Sequence, residues 1–103
     1  MASRKKVEVH LSERANLDLH AIYGYLSGHS FKALGAFDKK LFSILHRLES
    51  FPNHGRWVPE FRSKKYREVF IDDYRVIYRY DESKKKIFIL TIRHGKRFLP
   101  TVL

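Results

Sequence analysis

With 103 residues, 44% of them hydrophobic and 15% aromatic, the chain can bury one core but not two, and it is too apolar to remain disordered. It contains no cysteine, which excludes disulfides, thiolate zinc sites and a cysteine nucleophile. Its formal charge of +10 points to a polyanion or an acidic protein as partner, and the excess is concentrated in residues 52–103, with 13 basic and 6 acidic side chains.

The basic start, Met1 to Lys6, reads as a flexible N-terminus. It passes directly into the alternating run Val7 to Leu11, a short strand, without an apolar stretch fit for a leader or membrane anchor, so a cytoplasmic chain is expected. Ser12 then stands where a side-chain oxygen can cap a helix, with Glu13 favourably placed in the first turn. The helix predicted over 13–26 gathers Ala15, Leu19, Ile22, Tyr23 and Leu26 on one face. After the break at Ser27-Gly28-His29, Ser30 is the expected cap of a second helix with Leu34, Phe37, Leu41, Ile44, Leu45 and Leu48 as its apolar stripe. That helix ends at Phe51-Pro52, because proline lacks a backbone donor and disfavours helix in the residue before it. So short a connection makes the two helices an antiparallel hairpin.

Residues 52–65, with Pro52, Gly55 and Pro59, read as a loop. From Tyr66 the period becomes strand-like, with strands expected over 66–71, 74–80 and 86–92 and turns at Asp72-Asp73 and 81–85. The predicted fold is therefore α+β, a single domain of order β-α-α-β-β-β. Its helix hairpin packs on one face of a mainly antiparallel sheet, and the other face is left open.

Within the meander, Arg75, Ile77 and Arg79 alternate with Val76, Tyr78 and Tyr80. The last strand ends Arg93-His94-Gly95-Lys96-Arg97, which sets a histidine able to exchange protons near neutral pH among permanent cations. RNA cleavage through the 2′-hydroxyl needs an acid, a base and cations to hold the phosphorane charge, and it needs no metal. His94 suits the acid or base and Arg75 the phosphate clamp. Arg67, Arg79, Arg93, Lys96 and Arg97 are further candidates for phosphate or target contact, with Tyr78 or Tyr80 as a stacking surface. Glu60 and Glu68 are candidate bases that the sequence does not place. The bland alternative for His94 is a hydrogen-bonded rim residue, and for Arg75 and Arg79 a solvated sheet face. The six histidines show no paired ligand spacing, and no cofactor motif is present, so neither metal nor cofactor is expected.

Taken in order, Leu11-Ser12-Glu13-Arg14-Ala15, Ala21-Ile22-Tyr23-Gly24-Tyr25-Leu26, Phe51-Pro52-Asn53-His54-Gly55-Arg56, Tyr74-Arg75-Val76-Ile77-Tyr78-Arg79 and Ile89-Leu90-Thr91-Ile92-Arg93-His94-Gly95-Lys96-Arg97 make the chain resemble the RelE/ParE toxin superfamily over residues 7–98. The resemblance implies the toxin of a toxin–antitoxin pair, held by an acidic antitoxin and arresting growth when released. In the ParE-like branch the target is DNA gyrase, which the toxin binds. In the RelE-like branch the toxin cuts messenger RNA on the ribosome, and Arg75 and His94 match the functional positions. The hairpin motifs and the His-Gly-Lys-Arg ending are nearer the ParE-like branch. A nucleic-acid-binding module without toxicity is the reading that charge and aromatic strands alone support.

Overall fold

The computed structural model describes residues 6–95. Strand β1 (Glu8–Leu11) leads into helix α1 (Glu13–Ser27) and helix α2 (Phe31–Ser50), followed by β2 (Arg56–Trp57), β3 (Arg67–Ile71), β4 (Tyr74–Asp81) and β5 (Lys86–His94). Most of the expected N-terminal arm, residues 1–5, lies outside the described residues, as do Lys96 and Arg97.

Both predicted caps form. Ser12 Oγ accepts the Ala15 N–H at 3.0 Å and Ser30 Oγ accepts that of Ala33 at 2.9 Å, so each helix begins where a side chain satisfies an orphan backbone donor. The Asp72-Asp73 turn places Asp72 at a φ of 51°, a left-handed conformation that aspartate tolerates better than most residues.

The five strands lie in the order β1-β5-β4-β3-β2, antiparallel throughout except for the parallel pair β1 and β5. Strand β2 was not expected. Its two residues are too few to show a period, and pairing with Glu68 and Arg67 defines it. The helix stripes close on one sheet face as predicted, with Ala15, Leu19 and Ile22 of α1 and Phe37, Leu41 and Leu48 of α2 packed on Val69, Val76, Tyr78, Ile87, Ile89 and Ile92. A bulge lets β5 serve that core. Ile77 pairs with Thr91 but Tyr78 pairs with Ile89, so Leu90 is the extra residue, and Ile89 and Ile92 both face the helices although they are three positions apart.

The opposite face is less open than the sequence suggested. Ile77 and Glu68 face each other there, and both are buried, because the chain between β2 and β3 crosses this side with Val58 buried and Glu60 reaching Arg75. At the other edge, β1 stops at Leu11 while β5 runs on to His94. Asp18 of α1 takes over from the strand, and its Oδ2 accepts from the Ile92 N–H at 3.0 Å and from the Thr91 hydroxyl at 2.5 Å.

Candidate functional site

Arg75 lies on the outer sheet face, opposite Arg93 across the β4–β5 ladder, with its side chain only 7% exposed. All three of its guanidinium nitrogens donate to carboxylates. Nη2 donates to Glu60 Oε1 at 2.8 Å, Nη1 donates to the other oxygen of the same carboxylate, and Nε donates to Glu68 Oε1 at 2.6 Å. Glu68 is fully buried and accepts a second arginine through Oε2, from Arg56 Nε at 2.7 Å. Two arginines and two glutamates thus neutralise one another. The carboxylates left unplaced by the sequence are the counter-ions of the arginine expected to clamp phosphate.

The arginine holds the Glu60 carboxyl below its ordinary value of 4.5, chiefly by hydrogen bonding, and it overcomes the partial burial that acts the other way. A carboxylate whose folded-state pKa is lowered contributes stability above its unfolded pKa and loses that contribution as pH falls through the folded value. Unfolding midpoints in urea should therefore fall more steeply on acidification below about pH 4.5 for the wild type than for Glu60→Gln. Parallel acid limbs would show that the pair is not formed in solution.

A second group fixes the loop after α2. The Tyr78 hydroxyl donates to Pro52 O and accepts from the Gly55 N–H, both at 2.8 Å. Burial raises the Tyr78 pKa, so this hydroxyl keeps its proton and its donor role. Arg67 donates to Gly55 O at 2.7 Å and to Asn53 O at 3.3 Å, while its guanidinium lies 3.8 Å from the centre of the Trp57 ring. Arg67 and Tyr78, proposed from sequence for target contact and base stacking, thus anchor the Phe51-to-Arg56 segment.

His94 sits on the other side of the sheet from Arg75. It pairs with Tyr74, and the Tyr74 ring packs edge-on against both Phe37 of α2 and His94, with centroid distances of 5.4 and 5.7 Å. Since neighbouring residues of a strand point to opposite faces, the turn-side end of β4 sends Tyr74 toward the helices and Arg75 away from them. The two residues expected to act on one phosphate are therefore separated by the sheet. His94 and Arg93 instead border a groove of about 550 Å³ beside Arg14, Asp18 and Tyr25 of α1. Arg93 Nε lies 3.2 Å from Thr91 Oγ1, and Arg79 stands on the outer face with its guanidinium 5.0 Å from the Phe88 ring centre. Lys96 and Arg97 lie outside the described residues.

Sequence reasoning missed Asp18, whose acceptor role depends on where β1 stops; its one visible signal was an acidic residue between the core positions Ala15 and Leu19. No helix among the described residues is long and apolar enough to cross a membrane.

In sequence, residues 9–98 match the family model described as the ParE toxin of the type II toxin–antitoxin system parDE. No curated protein matches the chain. Among solved structures, the chain is similar to a chain of the chromosomal ParDE toxin–antitoxin system of Pseudomonas aeruginosa, at 22% identity and a TM-score of 0.70, over 90% of this chain and 100% of that one. It is also similar to a chain of the toxin–antitoxin complex RelBE2 of Mycobacterium tuberculosis (22% identity, TM-score 0.59, 86% and 98% covered). The isolated RelE toxin of Escherichia coli resembles it more distantly (16%, 0.53, 89% and 87%). At these identities the structural likeness speaks for the fold, and the sequence match decides the family: the chain belongs to the ParE toxin family of type II toxin–antitoxin systems.

Proposed function

We propose that this toxin stops growth by binding DNA gyrase and does not cut messenger RNA. The observation that carries the reading is the separation of Arg75 from His94. A metal-free ribonuclease needs its proton carrier and its phosphate clamp around one phosphodiester, whereas here they lie on opposite sheet faces and all three guanidinium nitrogens of the arginine are paired with Glu60 and Glu68. A binding toxin needs no such convergence. Arg79, Arg93 and, beyond the described residues, Lys96 and Arg97 are the proposed target contacts, on a chain of charge +10. Gyrase as target makes the site of action cytoplasmic, and the proposed keeper is an antitoxin, acidic to match the +10 charge; the RelBE2 structure of similar fold is a toxin–antitoxin complex.

Purified toxin added to gyrase and relaxed plasmid should inhibit supercoiling, while translating ribosomes given the same toxin should leave messenger RNA intact. Neutralising Arg93 or Lys96 should weaken inhibition gradually. Ribosome-dependent cleavage that disappears in His94→Ala would replace this reading with the ribonuclease one.

A further inference from the structure

Residues 51–57 leave α2 and enter the edge strand β2 as an anchored surface segment. The Phe51 N–H donates to Arg47 O at 2.8 Å and the His54 N–H to Phe51 O at 3.0 Å, while Tyr78 and Arg67 fix Pro52, Asn53 and Gly55 from the sheet. Phe51 is nevertheless 63% and Trp57 40% exposed, and Asn53 and His54 between them are exposed as well. Two large rings exposed on one short, anchored segment mark a contact surface, because the anchoring has already removed part of the ordering cost of binding.

Charge and ring chemistry together say what fits there. Arg56, Arg62, Lys64, Lys65 and Arg67 stand between residues 50 and 67, and the one carboxylate of that stretch, Glu60, is taken up by Arg75. Lys64 and Lys65 are exposed, and the Val58 N–H donates to Tyr66 O at 3.0 Å, which brings the lysine end of this connection back to the strand that carries Trp57. Phe51 borders a pocket of about 490 Å³ with Arg47, Asn53 and His54, roomy enough for a base and its sugar. The Arg67 guanidinium already lies 3.8 Å from the centre of the Trp57 ring. An acidic protein segment would match the cations alone, whereas nucleic acid matches the cations through phosphate and the rings through its bases. A duplex hides its base faces in its own stack, so the strand that fits is single.

We propose that this surface binds a single strand of nucleic acid, with bases stacked on Trp57 and Phe51 and phosphates met by Arg47, Lys64 and Lys65. The site goes beyond the gyrase reading and does not depend on it. The strand is held there and not cut.

Trp57 is the one tryptophan of the chain, so its fluorescence reports the stack directly. Full-length toxin is titrated with end-labelled oligothymidine, the anisotropy of the label measuring binding and the tryptophan emission measuring contact. Binding should quench the emission. Phe51→Ala and Trp57→Ala should each lower the affinity by roughly tenfold with the thermal midpoint little changed, and Trp57→Phe, which keeps a flat ring, should restore most of it. Binding without quenching, or equal affinity for a blunt duplex of the same length, would show that charge alone is at work and would overturn the proposal. Absence of binding by the wild type would overturn it too. Loss of gyrase inhibition in Phe51→Ala, in a toxin that does not bind the oligonucleotide, would give the surface to a protein partner instead.

Discussion

Replacing Arg75 with methionine should destabilise the toxin by about 3–5 kcal/mol, because it leaves Glu68 buried with half of its ion pairing gone. The partners set the size of the effect. Arg56 still reaches Glu68 from the exposed side, but Glu68 Oε1 loses its donor in a place water does not enter, and Glu60 loses the contact that holds its segment on the sheet. Adding Glu68→Leu to Arg75→Met should recover much of the loss, since a pair replaced by apolar residues of similar volume is often neutral. Urea unfolding of the two variants measures this directly, and a single variant as stable as the wild type would remove the cluster from the account. The strand pattern alone allows Arg75 to be a solvated side chain of the open sheet face. In the structure, loss of toxicity on changing Arg75 follows from unfolding as readily as from lost chemistry, so it cannot serve as evidence of catalysis.

Gly55→Ala should cost about 1–3 kcal/mol or more, as overpacking does where neighbours cannot yield. A Cβ there would come within 2.7 Å of Glu68 O and 2.7 Å of the Tyr78 hydroxyl, one an atom of the sheet backbone and the other held by Pro52 O. The effect should be non-additive with Tyr78→Phe, which removes one of the three obstructing atoms, the hydroxyl, together with its hydrogen bonds while leaving the ring carbon Cε1 at 2.8 Å, so the double variant should lose less than the two singles combined. Strict additivity would mean that the loop moves aside and that Gly55 is dispensable.

These two sites mark the limit of what could be read from the sequence. The helices, their serine caps and the three meander strands follow from periodicity and local hydrogen bonding, and residues near in sequence supply both. Periodicity also placed Arg75 and Arg79 on one face. It could not tell that Glu60, from a segment without period, folds back over that face, nor that Leu90 slips the register of β5 by one residue. His94 was legible as a proton carrier, but its side of the sheet depends on counting back through that bulge to its partner Tyr74. The candidate site was thus readable as a set of residue types and not as a geometry, because ion pairs between distant segments leave no trace in local spacing.

Asp18 bears on how this molecule survives alone. The stretch of β5 beyond the end of β1 would otherwise offer backbone donors to any passing extended chain, the usual route by which sheets join edge to edge into aggregates. A carboxylate on α1 occupies that position and presents a charge where an added strand would have to pair. A toxin parted from its keeper therefore meets the cell with the Ile92 donor of this margin already taken, and Asp18→Ala is the change expected to shorten the soluble lifetime of the free toxin.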